Sequence, residues 1–256
     1  MIDLFAILFG VSVGSFLNVC IARLPRDESI VQPPSHCRTC DEPIRWYDNI
    51  PLVSYIMLRG RCRACHTPIP ARYPLVEALM ALCALLIVRL DLPPVQLFLY
   101  FLLAAALIVV TFIDIDYYII PDKITLPSIL IAPAAALIVG HISFLQSIIG
   151  IAVGGGILWG VAWAYQKLRH EEGMGLGDVK LLAMIGGLLG WQAALFTLFV
   201  GSIAGSIIGI ALLLARRRGL GTEIPFGPFL ALGCFLYMLV GPALIGLYLR
   251  LPNLYS

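Results

Sequence analysis

The chain has 256 residues, of which 60% are hydrophobic and 12% charged. Soluble domains run at about 45–50% apolar and about 25% charged, so a soluble globular enzyme, a disordered chain and a collagen-like repeat are all excluded. A formal charge of +2 gives no reason to expect a nucleic-acid partner, and a mean hydropathy of +0.95 describes a protein that crosses the lipid bilayer several times.

The first apolar run covers 2–21. It has the length of a signal peptide but no basic segment before it, so it reads as a retained membrane helix. Residues 22–74 hold eight arginines and two cysteine pairs without a long apolar run, as expected of a water-exposed domain between two spans. Further apolar runs cover 75–90, 95–113, 123–140, 145–166, 179–192, 194–215 and 226–249, predicting eight helices in all. The sixth and seventh are the tightest fit. Residues 179–215 would make a helix of roughly 55 Å, barely two crossings of about 30 Å. Trp191-Gln192 is the predicted turn, and one long tilted helix is the alternative. The expected fold is therefore an all-α polytopic membrane protein with about eight transmembrane helices. A small cytoplasmic zinc-binding domain is inserted between helices 1 and 2. The parts are 1–21, 22–74 and 75–256.

The cations set the orientation. With eight spans, fifteen of the seventeen lysines and arginines fall on one side, leaving Arg89 and Arg250 on the other. Excess Lys and Arg marks the cytoplasmic face. Both termini are then periplasmic, and the polar domain and the loops around 114–122 and 167–178 are cytoplasmic. In that reducing compartment, Cys37-x2-Cys40 and Cys62-x2-Cys65 read as a four-thiolate zinc site rather than as disulfides. His36 and His66 adjoin the pairs and are expected at the surface or as outer partners. Four thiolates leave no coordination position open, so the zinc is expected to be structural and to supply much of the folding energy of a small polar domain.

Two carboxylates stand at helix borders on the cytoplasmic side. Asp114 closes the third run, and Asp178 opens the sixth after Gly173, Gly175 and Gly177. Asp178 could simply cap a helix, and Asp122, after Pro121, reads as a cap. An ionisable group at a membrane border is also a functional candidate. If Asp114 and Asp178 approach each other, they share one proton as an aspartic-protease pair does. One then acts as general base toward water and the other as general acid toward a scissile carbonyl. The side-chain-free backbone before Asp178 would let an extended substrate lie close.

Gly175-Leu176-Gly177-Asp178 resembles the GxGD motif of intramembrane aspartyl proteases. The chain resembles one branch of them, the bacterial prepilin peptidases that also N-methylate their product. The resemblance runs through residues 14–19, 23–25, 33–37, 48–51, 58–62, 72–77, 114–122 and 173–183, with all four paired cysteines present. It implies a catalytic pair of Asp114 and Asp178, with Asp116 as the competitor of Asp114. It implies cleavage of a basic leader from type IV prepilins or pseudopilins at the cytoplasmic face of the inner membrane, serving pilus assembly or type II secretion. It also implies methyl transfer from S-adenosylmethionine to the new N-terminus. No dinucleotide-type glycine motif lies between a strand and a helix, so a methyl-donor pocket is expected at the polar domain and nearby helix ends, with Asn49, Arg72 and Glu77 as its candidate residues. Glu77 could instead pair with Arg72. Glu171 and Glu172 read as an ordinary solvated face. The rival classes are a transporter and a non-catalytic secretion assembly factor with a regulatory zinc loop. A proton path would call for acids at mid-bilayer depth, which the spans from 95 onward lack.

Overall fold

Lipid offers the backbone no hydrogen bonds, so an apolar chain satisfies its amides within helices. The computed structural model describes residues 1–169, 175–216 and 224–250, without the side chains of 215–216 and 247–250. Among the described residues there are nine α-helices and no strand. They are α1 (Ile2–Arg23), α2 (Val53–Met57), α3 (Arg72–Val88), α4 (Pro94–Tyr117), α5 (Asp122–Val139), α6 (Phe144–Arg169), α7 (Leu176–Leu189), α8 (Trp191–Arg216) and α9 (Gly227–Arg250). Glu171, Glu172, Gly173, Arg217 and Arg218 lie outside the described residues.

Six helices are long and apolar enough to cross a membrane: α1, α4, α5, α6, α8 and α9. The second and sixth of the eight spans read from the sequence are shorter. α3 has 17 residues and α7 has 14, which at about 1.5 Å per residue is below the roughly 30 Å of a hydrocarbon core. The long-helix alternative for 179–215 is ruled out. The chain breaks at Gly190, one residue before the predicted turn, in a positive-φ conformation (φ 91°) that glycine adopts without strain.

The chain forms two compact units, Met1–Val109 and Val110–Ser256, divided within α4. In the first, α1 and α3 run antiparallel, as three contacts along their length show. The Arg89 guanidinium donates to Asp3 Oδ2 at 2.9 Å at one end. Gly10 and Gly14 press against Ala81 and Glu77 in the middle. Asn18 reaches the Tyr73 carbonyl at the other end. Small residues let the two backbones approach closely, as membrane helix pairs require. The polar segment closes the end of this hairpin.

In the second unit α7 is the central element. Every residue from Leu181 to Gly190 is buried. A Cβ on Gly150 of α6 would clash with the Gly186 carbonyl of α7, and one on Gly154 with the Leu182 carbonyl. Ser147 donates to the Gly187 carbonyl at 2.7 Å, and His141 Nε2 lies 2.8 Å from the Leu188 carbonyl. The last carbonyls of α7 thus have partners beyond their own helix. On the other flank, Gly201 and Gly205 of α8 receive Phe229 of α9, and Gly233 of α9 receives the Thr197 backbone.

The Gly150–Gly186 crossing admits no side chain. Gly186→Ala is expected to lower thermal stability in detergent by about 1–3 kcal/mol or more through overpacking. Gly156→Ala, where a Cβ meets nothing within 4 Å, is expected to leave the melting transition in place. Equal melting of the two variants would refute the packing argument.

Candidate functional site

The second unit brings Asp114 and Asp178 together. Asp114 sits in the last turn of α4 and is 6% exposed. Its Oδ2 accepts the Gly227 backbone N–H at 2.9 Å. That amide is the first of α9, one of the donors that a helix start leaves unpaired. Asp178 is the third residue of α7, after the extended Gly175 that precedes the helix. No side-chain cap bond is formed there, so Asp178 is not placed as a cap. Its Oδ1 is buried without a hydrogen-bond partner, and the carboxylate lies within the electrostatic reach of Asp114.

Backbone packing holds this pair. A Cβ on Gly227 would fall 2.6 Å from Asp114 Oδ2, and one on Gly177 would fall 3.0 Å from Ile120 Cβ. Ile120, itself buried, also lies against Gly227. It belongs to the turn after α4, where Tyr118 adopts φ 57° and returns its N–H to the Asp114 carbonyl at 2.9 Å. Asp116 is exposed. Asp122 makes no side-chain cap bond, contrary to its reading as a cap, and instead pairs with Lys180. That ion pair ties the starts of α5 and α7.

In the first unit, Cys37, Cys40, Cys62 and Cys65 form one cluster with all four sulfurs within 4.8 Å of one another. Cys37 and Cys65 are 3.8 Å apart, and tetrahedral zinc with Zn–S near 2.3 Å would hold sulfurs about 3.8 Å apart. The donor set therefore fits a zinc ion. Two copies of one knuckle build it. Cys37 N–H bonds the Glu42 carbonyl and Cys62 N–H the Thr67 carbonyl, each at 2.9 Å. Asp41 and His66 take matching positive φ of 57°. His36 hydrogen-bonds the Pro34 carbonyl.

The same unit contains an open cavity of about 850 Å³ lined by the ends of α1 and α3 and by the polar segment. Asn49, Arg72 and Glu77 all line it. Asn49 lies in the exposed 46–49 turn, and the Arg72 guanidinium stands 5.9 Å over the Tyr73 ring. Glu77 is buried and accepts the Leu52 N–H at 2.7 Å. Leu52 is strained. It has φ 59° and ψ −48°, with Val53 N–H bonded to the Pro51 carbonyl across it, the geometry of a rare positive-φ γ-turn. Arg63 clamps Asp48 with two nitrogens and holds that carboxyl below the usual range.

The sequence reading did not find Gly227, Ile120, Leu52 or Asn18. Gly227 had a signal in Pro225-Phe226-Gly227-Pro228, a glycine between helix-start prolines. Asn18 had one as an amide in an apolar span. Nothing local marks Leu52.

An all-helical membrane chain with two neighbouring aspartates at helix ends and a four-cysteine cluster is the setting in which the comparisons with known proteins fall. Residues 8–90 match the bacterial peptidase A24 N-terminal domain, and 101–210 match the type IV leader peptidase family. A prepilin leader peptidase/N-methyltransferase of Aeromonas hydrophila is 40% identical over 94% of this chain and 92% of its own length. One from Stutzerimonas stutzeri is 35% identical over 97% and 94%. One from Pseudomonas putida is 34% identical over 92% and 90%. The chain belongs to the family of prepilin leader peptidase/N-methyltransferases. No solved structure matches it significantly.

Purified protein is expected to carry about one zinc per chain, and Cys62→Ser to lose most of it, since three thiolates no longer close the tetrahedron. Metal analysis checks this. A Cys62→Ser protein with full metal content would overturn the assignment.

Proposed function

We propose that this protein removes the basic leader of type IV prepilins or pseudopilins with Asp114 and Asp178 as its catalytic pair, and then N-methylates the new N-terminus. A buried Asp114 and a half-buried Asp178 with an enclosed Oδ1, at the ends of neighbouring helices, carry the reading. A backbone N–H favours a charged oxygen, so Asp114, bonded to Gly227, is suited to be the general base. Asp178, with an unbonded oxygen, is suited to hold the proton. Asp114 takes a proton from water as its oxygen attacks the scissile carbonyl. Asp178 gives its proton to the carbonyl oxygen. The tetrahedral adduct then collapses, with a proton passing to the leaving amine.

The cation bias supports eight crossings, with α3 paired to α1 and α7 packed among α5, α6 and α8. It also supports periplasmic termini and an aspartate pair facing the cytoplasm of the inner membrane, where a basic leader lies. The three parts of the chain are then the first span (1–21), the zinc domain (22–74) and the polytopic protease domain (75–256). The zinc is structural, held by Cys37, Cys40, Cys62 and Cys65. The cavity of the first unit is of a size for S-adenosylmethionine, which falls within the roughly 300–1,000 Å³ of small-molecule sites. Asn49, Arg72 and Glu77 would hold that donor, which supplies an electrophilic methyl group when bound.

Asp114→Asn and Asp178→Asn are each expected to abolish leader cleavage of a prepilin in detergent, while Asp116→Asn retains most of it. Gly227→Ala, which forces Asp114 aside, is expected to lower kcat at least about tenfold. Full activity in the Asp114→Asn protein would refute the pair. Mass spectrometry of the product with and without S-adenosylmethionine tests the second step, for which an increment of one methyl group is expected.

A further inference from the structure

Asn18 is an unusual residue for a membrane helix. It is 4% exposed, on the face of α1 that meets α3, and it lines the cavity of the first unit. Its amide nitrogen donates to the carbonyls of Gly14 at 3.3 Å and Tyr73 at 3.1 Å. Both neighbours can only accept, so the orientation of the amide is fixed by them. The NH2 group faces the carbonyls, and Oδ1 faces elsewhere. Oδ1 is buried and has no hydrogen-bond partner. A buried acceptor left in this state calls for an explanation, and a ligand is one.

The surroundings indicate the ligand's chemistry. Glu77 follows Tyr73 by one turn of α3, is 7% exposed, and lines the same cavity. The Leu52 N–H holds its carboxylate in place, and strain at Leu52 leaves that contact little freedom. The wall therefore offers an amide oxygen and a fixed carboxylate within adjoining turns of α1 and α3. Two nearby cations are already engaged. Arg23 donates to the carbonyls of Ser29 and Pro33, and Arg63 to Asp48. Arg26, Arg38, Arg45 and Arg72 also line the cavity, and at the Asn18–Glu77 turns an amide oxygen beside a carboxylate suits a small group rich in N–H.

We propose that Asn18 Oδ1 and the Glu77 carboxylate form a subsite for a primary ammonium group in this cavity. The proposal rests on the methyl-transfer reading, under which two primary ammonium groups reach the cavity: the α-ammonium of the methyl donor and the new N-terminus of the cleaved substrate. The subsite binds and orients the group, and the carboxylate supplies its counter-charge.

Calorimetric titration of the full chain in detergent tests this with two pairs of probes. One pair is S-adenosylhomocysteine and its analogue lacking the amine. The other is a mature pilin N-terminal peptide and its N-acetyl form. The wild type is expected to favour the amine-bearing member of one pair by at least about tenfold, as a hydrogen bond to a charged group gives. Asn18→Leu is expected to remove that preference by weakening the amine probe alone. Asn18→Asp keeps an acceptor and is expected to bind the amine probe at least as well as the wild type. The pair that responds identifies the source of the ammonium group. Leader cleavage by the same preparations confirms that the variants are folded. An Asn18→Leu protein that keeps the preference, or an Asn18→Asp protein that loses it, overturns the subsite while methyl transfer by the wild type still stands. A wild type that binds no probe and transfers no methyl group overturns the methyl-transfer reading and the subsite with it.

Discussion

The first amide of α9 reaches the carboxylate of Asp114, and the arrangement of the second unit follows from that contact. A carboxylate buried at the edge of a membrane helix is costly unless a donor meets it. A helix start has donors to give, and its dipole favours negative charge. The contact works only without a side chain at 227, because a Cβ would occupy the space of the carboxylate oxygen. Ile120 then packs against Gly227 on one side and Gly177 on the other. The turn after α4, the start of α7 and the start of α9 are thereby set against one another at the point where Asp178 enters.

α7 explains how a short helix can hold a carboxylate steady. Its backbone meets that of α6 through paired glycines, and Ser147 and His141 occupy its last carbonyls. Contacts this close leave few alternative positions, since packed interiors deform little. The end opposite Asp178 is anchored, and Lys180 ties the near end to Asp122. A helix enclosed in this way needs no apolar length of its own to face lipid.

The apolar runs made the helices legible because lipid leaves no other way to satisfy the backbone, and their predicted limits lie within a few residues of the observed ones. The turn at Gly190 was displaced by one residue, because Trp191-Gln192 is the more polar pair while the conformational demand falls on the glycine. The number of crossings was harder to read. Hydropathy cannot distinguish a helix clothed by lipid from one clothed by protein, and α7 is the latter. Asp114 and Asp178 could be singled out because acids at apolar borders are rare. Pro225-Phe226-Gly227-Pro228 marks a helix start, but not that the amide of Gly227 meets a carboxylate over a hundred residues away. Asp122 was misread as a cap because the chain alone does not show that Lys180 will stand opposite.

The polar segment solves a different problem. Some fifty residues cannot bury enough apolar surface to fold on their own strength. The structure meets this with symmetry: Cys-Arg-x-Cys followed by a turn and Pro-Ile occurs at 37–44 and again at 62–69, and each copy presents two sulfurs to a common point. A metal there would fix the two knuckles to each other but not the stretch between them. That stretch is held at Leu52 by α3, through the bond to Glu77, and at Asp48 by Arg63 of the second knuckle. The cavity wall at Leu52 is therefore positioned by the Glu77 carboxylate, and that at Asn49 by a neighbour of the cysteines. Loss of metal and loss of Glu77 should then disturb the cavity in different places, the first at the knuckles and the second at the strained turn beside it.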